Sequence, residues 1–438
     1  MKGAPLDVVA TSNTPRDVMA LLTPRRQQIR SLVFTPSCWA DVITFSEVNS
    51  GPLPLLHTLN IYTLNPPASG QPLDTATDSL LPLFAGAINV RRFILSTIRP
   101  QNLNLFAFPN LTTFILSASS PGGLVASDLL DFLEATPTLH TIDIKIFWRI
   151  ILEDIPRGPI VVLPNVEFFS LLVVDGNHVY DLAARLSCPC AKDTSLAYEI
   201  SDNTFTIGVE AFPTSVPWNA IIQQYTRSPV EEVTFEVDPD PPGATTAHSL
   251  AFQSSDMTVL RLDFNAPKDI TDQDELFLTT GEAKLRAFSQ ACGAIRSHPF
   301  LLHIKRLHIE HRSMISELNF SLSAADRIGK LFGSLGRLEE LTIHGDDLRI
   351  YLAPFFPEFG DLERVFPHVQ HLTISDPWIG ADGRARADAI VELVKLQHEL
   401  GKPFEHVTVC GGKLPTGMAE RMEQWVGSVD CSELMDDV

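Results

Sequence analysis

A short pattern of apolar positions returns along the whole chain. It consists of an aliphatic residue, two variable residues, an apolar residue, one variable residue and a final apolar residue. Copies lie at Ile29–Phe34, Leu56–Ile61, Leu111–Leu116, Leu139–Ile144, Val166–Leu171, Val230–Phe235, Ile304–Ile309, Leu338–Ile343, Val369–Ile374 and Phe404–Val409. A unit that recurs at intervals of about 25–35 residues indicates a stacked repeat.

Each copy predicts a β-strand. In the copy at Leu338–Ile343, Leu341 and Ile343 share one face because strand side chains alternate, while Glu340 and Thr342 take the other. The connections are too long for hairpins, which favours parallel strands. Helical patterns occupy Ser127–Glu134, Pro217–Tyr225, Gly281–Ser297, Ala324–Phe332, Ala385–Leu400 and Met418–Val426.

These elements predict an α/β fold, an irregular leucine-rich-repeat solenoid (horseshoe) with a parallel concave sheet and helices on the convex side. Residues 1–25 are polar and carry no pattern, so we expect a loosely ordered lead-in. Residues 26–438 then form a single leucine-rich-repeat domain. Weaker copies of the pattern occur at Ala191–Leu196 and Met257–Leu262.

The charge balance argues against two classes of partner. The chain has 53 acidic against 33 basic residues and a formal net charge of −20. Long-range repulsion then opposes binding to nucleic acid or to an anionic membrane. No apolar run approaches the about 18 residues of a membrane span, and the N-terminus lacks a secretory signal. We therefore expect a cytoplasmic or nuclear protein.

The sequence offers no pattern typical of catalysis, cofactor binding or metal binding. The glycines around Lys330 and Lys413 lack Walker A spacing, and the Gly333–Gly336 segment lacks the G-x-S-x-G order. Cys188 and Cys190 are too close for an unstrained disulfide and have no CxxC partner. We expect neither an enzyme nor a cofactor or metal site.

The best candidate surface comes from aligning the last four clear strands. The residues facing away from the helices then form three columns, in which adjacent members are about 4.8 Å apart. The columns are Arg306, Glu340, His371 and His406; His308, Thr342, Thr373 and Thr408; and Glu310, His344, Ser375 and Cys410. They are open to three interpretations: a solvated polar face, a contact surface for a macromolecule, or a histidine metal site. We expect Arg306 and Glu340 to form a surface ion pair.

A second candidate lies nearer the N-terminus. Alternation points Ile94 and Ile115 outward, flanked by Arg92 and Thr113. Exposed apolar residues in a row indicate a partner site. The alternative is a register error of one residue, which would bury both isoleucines.

Several phrases resemble the leucine-rich-repeat portion of F-box proteins, above all those of mushroom-forming fungi. They lie at Leu55–Ile61, Leu163–Glu167, Thr226–Thr234 and Ser334–Ile343, and the resemblance extends from Arg26 onward.

The resemblance implies that the repeats bind an unknown target protein as part of a Skp1–cullin–F-box ubiquitin ligase. In that family a helical F-box holds the Skp1-like adaptor. Residues 1–28, which precede the first repeat, are too few for its three helices, so we expect adaptor binding only where an F-box is present. The alternative is a stand-alone leucine-rich-repeat scaffold without a ubiquitin-ligase role.

Overall fold

The computed structural model describes residues 4–11, 21–35, 52–62, 87–97, 103–118, 126–146, 160–174, 179–199, 221, 224–225, 229–237, 246–254, 259–266, 299–311, 334–345, 368–375, 383–410 and 417–432. The chain divides into two compact units. The first comprises Met1–Glu199 with Gln223–Tyr225, and the second comprises Ile200–Ile222 with Thr226–Val438.

The first unit contains a parallel sheet whose strands follow chain order. Its strands are β1 (Leu6–Thr11), β2 (Ile29–Thr35), β3 (Thr58–Tyr62), β4 (Arg92–Thr97), β5 (Thr113–Ala118), β6 (Thr141–Ile146), β8 (Phe168–Val174) and β10 (Asp193–Glu199). A small parallel pair, β7 (Val161–Val162) and β9 (Leu186–Ser187), stands apart from this sheet.

The second unit contains a mostly parallel sheet in the order β13-β12-β11-β14-β15-β16-β17-β18. Its strands are β11 (Val230–Val237), β12 (Thr246–Ser254), β13 (Val259–Ala266), β14 (Arg306–His311), β15 (Glu340–Gly345), β16 (His371–Ser375), β17 (His406–Cys410) and β18 (Ser428–Ser432).

Every copy of the repeated pattern contributes a strand, and the weaker copies contribute β10 and β13, so the strand prediction is confirmed. The expectation that consecutive strands are all parallel and in order is wrong at one place. β12 runs antiparallel to both β11 and β13. Only residues 255–258 separate β12 from β13, which is too few for a parallel crossover, so these two strands pair antiparallel.

The segment expected to be a loosely ordered lead-in contains β1, which pairs with β2. Only Ala10 of this strand is buried, and Val9 is 68% exposed. An edge strand with so little buried surface carries no clear apolar pattern, which is why the sequence does not reveal it.

Successive strands are joined at their amino ends by a repeated backbone contact. The carbonyl oxygen of Lys305 accepts hydrogen bonds from the N–H groups of Glu339 and Glu340, and that of Glu339 accepts from Gln370 and His371. The first aliphatic residue of each pattern, such as Leu338, lies fully buried at this point. The aliphatic residue thus anchors the chain just before it enters the strand.

Helices pack on the buried face, and the fold is accordingly mixed α/β. The described α-helices are α1 (Ala126–Glu134), α2 (Val179–Ala183), α3 (Gly383–Glu399) and α4 (Met418–Glu423). Three of them confirm predicted helices, and α1 begins one residue earlier than predicted, at Ala126. The predicted helices at 281–297 and 324–332, and most of 217–225, lie outside the described residues. Among the described helices, none is long and apolar enough to cross a membrane.

Aromatic side chains fill the core of the first unit. The Phe93 ring stacks on Phe106 and Phe114 with centroid separations of 4.9 and 5.9 Å. Phe132, from α1, reaches the Phe114 ring at 4.6 Å. These residues are 0–1% exposed, so the helix and both strands share one dry interior.

A close approach of two backbone segments in the second unit gives a test of the fold. A Cβ atom at Gly427 would lie 2.7 Å from the carbonyl oxygen of Glu405, whereas one at Gly336 would meet nothing within 4 Å. We expect Gly427→Ala to lower the free energy of unfolding by about 1–3 kcal/mol, because the backbone must shift. Gly336→Ala should change it by less than about 0.5 kcal/mol. Urea unfolding of both variants checks this, and equal effects would contradict the described entry into β18.

Candidate functional site

The face of the first sheet opposite the core carries the predicted N-terminal surface. Phe93, Leu95 and Phe114 are at most 1% exposed. Ile94 and Ile115 alternate with them and are half-buried on the other face. Both isoleucines thus lie on the face away from the core, and they are half-buried there where the sequence predicted exposure; Phe93, Leu95 and Phe114 occupy the core in the predicted register.

Side chains on this open face form rows across the strands. Arg92 pairs with Thr113 and Ile94 with Ile115. The row of Arg92 continues to Thr58 and Thr141, and the row of Ile94 continues to Asn60 and Asp143. Because each row is in register, neighbouring side chains stand about 4.8 Å apart. The four predicted residues therefore form one patch, which we call the Arg92–Ile115 patch.

Polar side chains lie at both ends of the row that contains Ile94 and Ile115. The Asp143 carboxylate lies 3.5 Å from the Lys145 amine. Asn60 Oδ1 and Asp143 Oδ1 are buried oxygen atoms without a hydrogen-bond partner. An unsatisfied buried acceptor costs roughly 1–3 kcal/mol, so a donor supplied from outside would be favourable after a small side-chain rotation.

The second unit brings the predicted columns together. Arg306 pairs with Glu340, Glu340 with His371, and His371 with His406. The other two columns, His308–Thr342–Thr373–Thr408 and Glu310–His344–Ser375–Cys410, follow in the same register. The alignment made from sequence is confirmed at every position. The alternating residues Leu341 and Ile343 are at most 2% exposed on the opposite face.

The prediction that Arg306 forms an ion pair with Glu340 is wrong. Arg306 Nε donates instead to Glu232 Oε2 at 2.8 Å, and His308 Nε2 lies 3.5 Å from the other oxygen of the same carboxylate. Glu232 stands on β11, the neighbour of β14 on the other side. Both flanking strands offer a glutamate to Arg306, and the sequence does not decide between them.

Two histidines of this face, His344 and His406, bond to hydroxyl groups. His406 Nδ1 lies 2.6 Å from Ser428 Oγ, and its Nε2 lies 2.9 Å from Thr408 Oγ1. His344 Nδ1 lies 3.1 Å from Ser375 Oγ. Hydroxyls donate or accept, so they satisfy the imidazoles without committing them to one tautomer. In the described part of the chain, no three metal-ligating side chains cluster together.

A cleft that the repeat pattern does not reveal runs along the amino ends of β14 to β17. Its volume is about 690 Å³, and it lies open to solvent. Its charged lining comprises Lys305, Arg337, Glu339, Lys402 and Glu405, with His368 beside them. Several of these residues directly precede a strand, and that position is the sequence signal from which they could have been predicted. Cations and carboxylates nearly balance here, which favours no particular ligand charge.

The comparisons with known proteins do not identify this chain. A scan against protein-family models finds no match. A search of curated proteins finds no significant relative.

The open face of the first unit can be tested with adjacent residues. Ile94→Thr should lower the free energy of unfolding by about 1 kcal/mol or less, since the side chain is already half in water. Leu95→Thr should cost about 3 kcal/mol, because it leaves a cavity and buries a hydroxyl. Urea denaturation of both variants checks this. A larger loss for Ile94→Thr would show that Ile94 belongs to the core.

A buried thiol gives a second test. Burial, and to a lesser extent neighbouring Cys190, raises the pKa of the fully buried Cys188 thiol to about 12. Peptide mapping at pH 8 should find Cys188 unreactive toward iodoacetamide in the folded protein and reactive in urea. Because the pKa of Cys188 is higher in the folded than in the unfolded state, its protonated thiol adds to the stability of the fold below the unfolded pKa near 9. This contribution is lost as pH rises toward 12. Alkylation of Cys188 in the folded state would contradict its burial.

Proposed function

We propose that this chain is a protein-recognition module of the leucine-rich-repeat type, and that it acts as the target-binding part of an F-box-type ubiquitin-ligase receptor. Two observations support recognition. Short strands in common register leave one face of each sheet uncovered by the described helices. That face carries rows of side chains of mixed chemistry, as a contact surface does.

The in-register rows are the observation that carries the proposal. Parallel strands about 4.8 Å apart place side chains from distant parts of the sequence side by side. In the second unit these side chains include Arg306, Glu340 and His371; in the first they include Ile94 and Ile115. A target protein can contact many such positions at once without a deep pocket. The ubiquitin-ligase role rests on the family resemblance alone.

The alternative is a stand-alone repeat scaffold without a ubiquitin-ligase role. It accounts for the same faces and differs only in adaptor binding. Calorimetry of the purified chain with a Skp1-type adaptor separates the two. Saturable binding supports the ligase role, and no heat at concentrations that saturate a known F-box protein assigns the chain to the scaffold class.

Recognition itself is tested by photo-crosslinking in cells at two exposed glutamates. Glu340 stands on the open face of the second sheet, and Glu392 stands on α3 beside Lys395. We expect a photoreactive residue at position 340 to capture a discrete partner protein, because this face makes the contact. The same residue at position 392 should give at most background. Equal capture at both positions, or none at 340, would contradict the proposed function of this face.

A further inference from the structure

Arg92 is a cation without an ionic partner among the described residues of an acidic chain. The side chain is exposed, and among the described residues its guanidinium makes no hydrogen bond or ion pair. Other cations of the same unit differ: Arg30 bonds to Asp7 at 2.9 Å, and Lys192 bonds to Glu167 at 3.0 Å. With 53 acidic residues against 33 basic ones, acids are abundant, yet none of the described ones forms an ion pair with Arg92.

The neighbours of Arg92 suit a carboxylate. Thr58 and Thr113 flank it in the same row, about 4.8 Å away on either side. A guanidinium fork beside hydroxyl donors matches the planar, acceptor-only geometry of a carboxylate.

The next row supplies an apolar contact. Ile94 and Ile115 lie about 6.6 Å along the strands from Arg92 and Thr113, which is the spacing of two residues in any extended chain. The charge of Asp143, at the end of this row, is balanced by Lys145 at 3.5 Å. Arg92 therefore gives the patch a local positive charge next to the apolar side chains of Ile94 and Ile115.

The net charge of the chain decides between the two common oxyanions. At −20, the whole molecule repels anions, and the penalty rises with the charge of the ligand. A single carboxylate meets about half the repulsion of a phosphate dianion. The field thus favours an aspartate or glutamate over a phosphorylated residue.

We propose that the Arg92–Ile115 patch binds an extended segment of a partner protein in which an acidic side chain stands two residues from an aliphatic one. The carboxylate bonds to the Arg92 guanidinium, and the aliphatic side chain packs on Ile94 and Ile115. This inference rests on the proposed recognition function and names the partner chemistry for one of its faces.

Selection from a library of random linear peptides on the purified full chain tests the proposal, with the best synthetic peptide then titrated by calorimetry. We expect the selected peptides to carry Asp or Glu two positions from Leu, Ile or Val. Arg92→Gln should weaken the binding of that peptide about tenfold or more, since a charge-assisted hydrogen bond is lost. Lys192→Gln removes the same charge from an exposed site and should change affinity less than about twofold.

A second matched pair of variants tests the apolar part of the Arg92–Ile115 patch. Ile94→Thr should weaken the peptide several-fold, whereas Ile88→Thr, at a residue 56% exposed in the turn before β4, should leave affinity unchanged. Thermal unfolding curves confirm that all four variants are folded.

Three results would overturn the inference while leaving recognition intact: peptides enriched in Lys or Arg, equal weakening by Arg92→Gln and Lys192→Gln, or tighter binding of a phosphoserine version of the peptide. A library that yields no binder would contradict both the inference and the proposed function of this face.

Discussion

The structure depends on in-register contact between short neighbouring strands. Most of these strands are between five and eight residues long, too short to bury a face alone. At many of the parallel steps, one strand is fixed to the next where a single carbonyl oxygen, such as that of Lys305, accepts two successive N–H groups. Where a strand carries the repeated pattern, the aliphatic residue before it, such as Ile304 or Leu338, is fully buried beneath this contact. Backbone bonding and apolar burial therefore specify the same register.

That register also determines what the open faces display. Alternation sends every second side chain away from the core, so the pattern that builds the interior also lines up the exposed rows. The two units use this arrangement differently. The first presents isoleucines beside Arg92 and threonines, and the second presents histidines, threonines and carboxylates. Each surface is an assembly of residues remote in sequence and brought together by parallel pairing.

Local periodicity made much of this predictable. Leu341 and Ile343 share a buried face because the strand period is two, and the columns through Glu340 and His371 follow once equivalent residues are aligned. Side-chain pairing was not predictable where two equivalent partners stand on neighbouring strands. Arg306 has a glutamate on either flanking strand and bonds to Glu232.

Strands without the aliphatic pattern were also missed. β1 has one buried side chain, β18 has none that is fully buried among its described residues, and β12 turns back because its connection to β13 is short. The cleft beside Lys305 and Lys402 lies outside the strands, where alternation carries no information. Sequence periodicity thus predicted the repeated interior and its faces, but not the edges.

Oxidative cross-linking between β15 and β16 measures the central pairing most directly. Glu340 stands opposite His371, and Ser375 lies at the far end of β16. Disulfides require Cα atoms within about 7 Å, which parallel pairing satisfies for the first pair and excludes for the second. The E340C/H371C protein should therefore form a disulfide, and the E340C/S375C protein should not. The reverse result would mean antiparallel strands and would contradict the account.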